Sequence, residues 1–546
     1  MFIWLCVVTV VGDKIWQLRG WPVNIFLHLD PLVAIGTVIS THKLFAPLLW
    51  AVLTIVLTIL IGRFFCGWVC PFGTLHQSVS FLSHGKKNAE LFAIHKYRKA
   101  QNIKYYVLAV FLLMAALPGL QNLQIGLLDP IPLFTRTVNL LFIPISAAER
   151  FSRTAALILA VFLIFALLNF FIPRFFCLFI CPLGALFGII NRFSIWRINR
   201  NSKCTDCKLC NKYCQGNCQP SETLKQSECL MCMNCLDDCK FDAIDFSTAS
   251  SKTIQVSPDL SRRGFIAAGF TGLLAMPAFK LLNAGTDSEG IIRPPGALPE
   301  KEFTKRCIKC GQCMRLCPTN VIQPAGLEAG LTNLWTPTMN NRIGTSGCQL
   351  DCVACGFVCP TAAIRPLTLA EKLGKGKFAD KGPEKIGTAF FDRAKCLPWA
   401  FNIPCIVCEE NCPVSPKAIY TRTIFSPANY DSLKINNINN NEISLSQGKL
   451  AAGRFATGDY YCQFTADGKT IREKIISNTA DTIKISTENS LSAVSAAGSD
   501  IQIQVKLQQP YVNPALCIGC GICQHECPVS GKGAVIVTPY GQSREK

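Results

Sequence analysis

Thirty-one of the 546 residues are cysteine, and most of them fall into groups with a repeated spacing. Cys204, Cys207, Cys210 and Cys214 follow C-x2-C-x2-C-x3-C, and so do Cys229, Cys232, Cys235 and Cys239. The pattern returns at Cys307, Cys310, Cys313 and Cys317, and at Cys517, Cys520, Cys523 and Cys527. Two groups vary it: Cys348, Cys352, Cys355 and Cys359, then Cys396, Cys405, Cys408 and Cys412. Such short spacings let one loop wrap three thiolates around an iron–sulfur cubane. The fourth Cys starts a helix that carries it to the neighbouring cubane. The first two groups should therefore cross-ligate: Cys204, Cys207 and Cys210 with Cys239, and Cys229, Cys232 and Cys235 with Cys214. Cys218 is a second thiol within reach of the latter site, and spacing favours Cys214. Pro318, Pro360, Pro413 and Pro528 follow the fourth Cys of the last four groups, whereas Gln215 and Lys240 stand there in the first two. Zinc also takes C-x2-C pairs, but rarely three such spacings in a row, six times over. The expectation is six [4Fe–4S] clusters, with the pairing of the last four groups left open.

A second cysteine set is repeated. R-F-F-C-G-W-V-C-P-F-G-T-L begins at Arg63 and R-F-F-C-L-F-I-C-P-L-G-A-L at Arg174. Cys66 and Cys70, like Cys177 and Cys181, are four apart and share a face if helical. These four are candidate catalytic residues. They could hold a seventh metal centre, act as redox thiols, or simply pack. Upstream of each copy stands L-D-P, at Asp30 and Asp129. Those carboxyls are proton acceptors in one reading and plain helix-breaking turns in the other.

The elements that position these residues are apolar. Uncharged runs cover 44–62, 105–128 and 154–173, each near the roughly 20 residues of a spanning helix. The run 1–12 reads as a first span whose beginning precedes this sequence, or as a short interfacial segment. Each repeat is then span, L-D-P turn, span and C-x-x-x-C-P, and the two halves should pack as pseudo-symmetric partners. Basic residues fill the loop at Lys86, Lys87, Lys96, Arg98, Lys99 and Lys104, and follow the fourth span at Arg192, Arg197, Arg200 and Lys203. By the positive-inside rule both stretches are cytoplasmic. Ser261-Arg262-Arg263-Gly264-Phe265-Ile266 precedes a further apolar run, 264–279. It looks like a twin-arginine export signal or a positively flanked span, and either reading puts the C-terminal part outside the cytoplasm.

The fold class expected is multi-domain. An α-helical membrane domain (1–200, four spans in two repeats) precedes a cytoplasmic two-cluster ferredoxin domain (201–247). A linker with the fifth span follows (248–290), then the first part of an exported polyferredoxin (291–422). A small β insert (423–509), with alternating runs such as I-Q-I-Q-V-K-L, separates this from the last ferredoxin motif (510–546).

Composition agrees. Half the residues are hydrophobic, 16% are charged and mean hydropathy is +0.29, which excludes a disordered or simple soluble class. The formal charge of +19 would suggest nucleic acid. However, each oxidised four-thiolate cubane carries about −2, so six of them lower it to roughly +7, and no nucleic-acid partner is expected. The six histidines, His28, His42, His76, His84, His95 and His525, offer no pair of axial ligands, and no C-x-x-C-H occurs, so haem is not expected. No nucleotide or flavin motif is visible.

These residues together resemble two electron-transfer families of periplasmic nitrate reductase systems. Up to about 245 the chain is similar to NapH-type membrane quinol dehydrogenase subunits. From about 261, through the twin arginines, R-P-P-G-A-L-P-E at Arg293 and four Cys groups, it resembles NapG-type exported polyferredoxins. The resemblance implies a bacterial inner-membrane protein that oxidises quinol from the membrane pool. Electrons would pass through the clusters to a periplasmic redox partner or reductase. The insert before Cys517 and the missing prolines after Cys214 and Cys239 depart from the pattern and leave that partner open. Proteins with two C-x-x-x-C-P motifs and a cytoplasmic ferredoxin also resemble redox sensors and metal reductases of copper assembly, which is the alternative.

Overall fold

The computed structural model describes residues 23–82, 95–117, 124–147, 153–222, 224–248, 266, 290–428 and 432–545, the last without 448, 467 and 487–496. The run 1–12, the twin-arginine stretch and nearly all of 264–279 lie outside the described residues. The chain forms two compact units. The first comprises Met1–Thr345, Asp351–Ile386 and Gly541–Lys546; the second comprises Ser346–Leu350 and Gly387–Tyr540. The expected boundaries differ from this division, because 291–345 belongs with the helical part and the β insert belongs with the last Cys groups.

The repeat is visible in the first unit. Asp30 caps α1 (Pro31–Thr41), accepting from the amides of Leu32 at 2.9 Å and Val33 at 3.3 Å, with Pro31 at the first helical position. A 3-10 turn, Ala46–Trp50, leads into α2 (Ala51–Ile61). The C-x-x-x-C-P turn follows, and then α3 (Pro71–Leu82). After α4 (Ile103–Ala116) the sequence of elements recurs. Asp129 accepts from the amide of Ile131 at the start of α5 (Pro130–Ala147), α6 (Arg153–Phe171) follows, and Cys181 caps α7 (Pro182–Ile190). Leu32, Phe72, Ile125, Ile131, Phe176 and Phe187, all fully buried, anchor the common core.

Among the described residues one helix segment, Thr154–Phe171, is long and apolar enough to cross a membrane. The expected span 44–62 forms a shorter apolar helix, Ala46–Ile61. The expected span 105–128 ends as a helix at Ala116, because Leu117 precedes a proline and takes the extended backbone that such a position favours. Polarity along α2 is inverted relative to a water-facing helix. Its buried residues are Ala51, Thr54 and Thr58, while Val52, Leu53, Val56 and Leu60 are exposed. In α6, Leu163, Ile164, Leu167 and Phe171 are likewise exposed. A contiguous apolar surface of this kind marks contact with lipid or another apolar partner.

The first ferredoxin module hangs between β1 (Trp196–Arg200) and β2 (Ile244–Thr248), paired antiparallel from Trp196↔Thr248 to Arg200↔Ile244. A short pair, β3 (Ile322–Pro324) and β4 (Pro337–Met339), follows. The R-P-P-G-A-L-P-E stretch is a clasp. Buried Arg293 donates to Glu300 of the same stretch at 3.1 Å and 2.5 Å, and Arg544 donates to Glu300 at 2.7 Å.

In the second unit, β5 (Thr388–Phe391) pairs with β13 (Val535–Thr538). The insert between them is larger than 423–509: its strands begin with β6 (Ile419–Pro427) and end with β12 (Asp500–Val512). Between these come β7 (Leu433–Asn439), β8 (Glu442–Gln447), β9 (Tyr460–Ala466), β10 (Lys469–Asn478) and β11 (Thr482–Ser486). The order β12-β7-β8-β11-β10-β9 closes on itself, because the long β12 pairs with both β7 and β9. Closure removes free edges on six strands and leaves β6 as a flap along β12. Alternate residues fill the interior, Ile435, Ile443, Phe464, Ile483 and Ile485 among them. Cys462, which belongs to none of the spaced groups, is a fully buried member of this core and is unbridged.

Because Ile443 and Ile485 are fully buried, Ile443→Ala or Ile485→Ala should each cost about 2–5 kcal/mol. Hydrogen exchange of the full chain should show lost protection across β7–β12. Unchanged protection there would contradict a packed barrel interior.

Candidate metal centres

The four regular Cys loops share one backbone. Positive φ angles occur on both sides of the second Cys: at Asp206 and Lys208, Met231 and Met233, Lys309 and Gly311, and Gly519 and Gly521. Five of these eight are not glycine, and each pays roughly 1–2 kcal/mol for that conformation. Such turns point successive amides into the loop, a concavity suited to an anion. The helix after each loop starts from the second of these residues. The two variant groups depart in backbone as well, since Val353 and Ile406 in the equivalent place have negative φ.

In the second unit the cross-pairing is visible as two apolar cavities lined by thiols. Cys517, Cys520 and Cys523 line one together with Cys412 and Pro413. Cys396, Cys405 and Cys408 line the other together with Cys527 and Pro528. In the first unit the same exchange occurs. Cys307, Cys310 and Cys313 feel the charge of Cys359, and Cys352 that of Cys317. Cys348 falls in the second unit, where its amide donates to Cys520 O at 2.7 Å.

The donor set fits a cubane. Burial pushes the thiols of Cys310, Cys408 and Cys520 up to about 12. Bare, they would keep their protons at neutral pH, and a bound cationic cluster would displace them. Soft sulfur donors around an apolar cavity suit an iron–sulfur core. Among the described residues no three Cys, His, Asp or Glu side chains converge on a single-ion site. The thiols are arranged around volumes instead of points.

In the first ferredoxin module, Cys210 interacts with Cys204 and Cys207, and Cys232 and Cys235 with Cys229 and Cys214. Cys214 Sγ and Cys218 Sγ are 3.3 Å apart. Hydrogen bonds from Cys218 lower the Cys214 and Cys229 thiols, and the same bonds raise Cys218. The Cys218 amide also donates to Cys214 Sγ at 3.3 Å, and with Cys214 ligated as a thiolate the remaining S–H is that of Cys218.

The C-x-x-x-C-P turns come together, since Cys181 interacts electrostatically with Cys177, Cys66 and Cys70. The first of them docks on the Cys229 loop. Trp68 Nε1 donates to Met231 O at 2.8 Å, and Arg63 donates to Ser227 O at 2.8 Å. A methyl at Gly67 would lie 2.4 Å from Leu230 O, so only glycine permits this approach. Buried Glu228, next to Cys229, is held by Lys104 and by Tyr105 Oη at 2.8 Å. Beyond the other end of α4 a second ligand loop is held. Gly126 abuts Ile308 O, and Arg136 donates to Gly126 O at 3.1 Å and to Lys309 O at 3.0 Å. Arg63, Gly67, Glu228 and Arg136 are functional residues that Cys spacing does not reveal. The repeated R-F-F-C was the available signal for Arg63, whose counterpart Arg174 donates to Cys66 O at 3.2 Å.

Comparison with known proteins agrees with this chemistry. A 4Fe-4S binding domain family (Fer4_5) matches 44–90 and 154–201, the two repeat halves. A second (Fer4) matches 303–323 and 510–530. The methylamine utilization ferredoxin-type protein MauM of Methylorubrum extorquens is 32% identical over 165 residues, 30% of this chain and 68% of that one. The chain belongs to the ferredoxin-type 4Fe–4S electron-transfer proteins. YccM of Escherichia coli, described as an electron transport protein, is 28% identical over 260 residues, 46% of this ferredoxin-type chain and 68% of YccM. The ferredoxin-type protein NapG of Escherichia coli is 30% identical over 135 residues, 23% of this chain and 50% of NapG. No solved structure matches.

Replacing Cys218 by Ala should leave iron content unchanged and lower the reduction potential of one cluster in this module, because a hydrogen bond to its sulfur is lost. Cys214→Ala should lose that cluster. EPR-monitored redox titration with iron assay distinguishes the two, and cluster loss in Cys218→Ala would reverse their roles.

Proposed function

We propose that this protein is a membrane-embedded conduit that oxidises quinol and delivers the electrons to a periplasmic reductase or redox partner. The observation that carries the reading is the placement of a ligand loop at each end of α4. Lys104 and Tyr105 at its start hold the Cys229 loop, and Gln124 and Gly126 past its end meet the Cys307–Cys313 loop. A 14-residue helix, about 21 Å long, separates them. Two electron-carrier sites are thus fixed to one repeat-built core.

The inverted polarity of α2, the length of Thr154–Phe171 and the basic loops support four spans in the bacterial inner membrane. The 201–247 module is then cytoplasmic and the polyferredoxin exported. All six Cys groups take [4Fe–4S] clusters in this reading, with the ligands named above and with Cys214 in place of Cys218. Bound cubanes supply one-electron carriers, so a quinol must release its two electrons singly. The residues of the chain hold the carriers rigidly. Arg63 and Trp68 fix the first ligand loop to the C-x-x-x-C-P turn, and Arg136 fixes the second. Cys66, Cys70, Cys177 and Cys181 come together beside the first loop, and in this reading they are the candidate redox centre of the membrane domain.

The full chain should carry about 24 iron atoms, and a reduced quinol analogue should produce reduced-cluster EPR signals in it. Clusters that dithionite reduces but quinol leaves oxidised would overturn the quinol reading.

A further inference from the structure

The two L-D-P motifs converge. Asp30 and Asp129 are each fully buried, and their carboxyl groups face one another. Each already uses Oδ1 to cap its own helix, Asp30 on the amides of Leu32 and Val33, Asp129 on that of Ile131. Each Oδ2 is buried and receives no N–H or O–H from the protein. Two facing buried carboxylates repel, so the pair lowers its energy by holding one proton between them.

Among the described residues no cation is bound to the pair. Of the charged or titratable groups on the surrounding elements, Arg136 is bound to the carbonyls of Gly126 and Lys309, and Lys309 to Gln124. Lys104 and Tyr105 are bound to Glu228 at the far end of α4, and His28 stands in the turn before Asp30. The pair is close to a carrier site. The Asp129 amide donates to Ile125 O at 3.0 Å, and the next residue, Gly126, packs on Ile308 O between Cys307 and Cys310.

We propose that Asp30 and Asp129 form one proton-binding site, built on the pseudo-twofold of the repeat, that takes up a proton when the neighbouring cluster is reduced. Before reduction the pair holds one shared proton and a net charge of −1. When the cluster at Cys307–Cys359 gains one electron, one proton from the medium bonds to the free Oδ2, leaving two neutral carboxylic acids. Reoxidation releases that proton. The added electron makes the low-dielectric surroundings more negative, which favours the protonated form. The site rests on the clusters of the proposed function but not on quinol as donor.

The test is infrared difference spectroscopy of the full chain, reduced with dithionite, with and without 13C-labelled aspartate. A protonated-carboxyl band that grows on reduction and shifts with the label is expected. It should disappear in Asp30→Asn and in Asp129→Asn, whose EPR-detected clusters remain. In the wild type the potential of one cluster should fall as pH rises, and in both variants that dependence should flatten. If the wild type shows no labelled band on reduction, the proposal fails whether or not the variants fold. If dithionite produces the band but quinol reduces nothing, the proton site stands and the quinol reading falls.

Discussion

Thiols crowded into a low-dielectric interior constrain everything else in this molecule. Burial pushes thiols such as Cys313 and Cys523 well up, and thiolates nearby push them further. Only positive charge placed among them lifts that penalty, and iron within a cubane provides it. The loops are shaped for such a centre: left-handed residues flank the second Cys even where the residue is Lys, Met or Asp. The strain at Lys309 or Met231 makes sense as the cost of aiming amides at sulfur.

The same constraint orders the rest of the core. Carriers are useful only at fixed separations, so the ligand loops are bolted down by buried polar contacts. Glu228 with Lys104 and Tyr105 does this at one end of α4, and Arg136 with the Gly126 and Lys309 carbonyls at the other. Buried ion pairs of this sort contribute little net stability, but they specify position. Glycine does the same by omission. At Gly67 and Gly126 the chain comes so close to a carbonyl of a ligand loop that any side chain would separate them.

Much of this was legible from the residues alone. The cross-pairing of Cys412 with the Cys517 loop and of Cys527 with the Cys405 loop obeys the spacing rule, and the duplicated R-F-F-C and L-D-P strings reappear as duplicated caps and turns. Other features were not legible, for definable reasons. Hydropathy ran through Leu117 and on to Leu128, but a proline stops the helix before it. Alternation in 423–509 announced strands, yet nothing local encodes that β12 is long enough to meet β6, β7 and β9 and so close a ring. The role of Arg63 depends on a carbonyl 164 residues away, and such pairings leave no periodic trace.

The Arg293–Glu300–Arg544 clasp has a consequence for the order of assembly. The second unit is inserted in the sequence of the first, and residue 544 returns to seal a strut begun at residue 293. Emergence from the ribosome therefore cannot follow a simple one-module-after-another schedule. The early part stays open on that side until residue 544 has been made and has folded back.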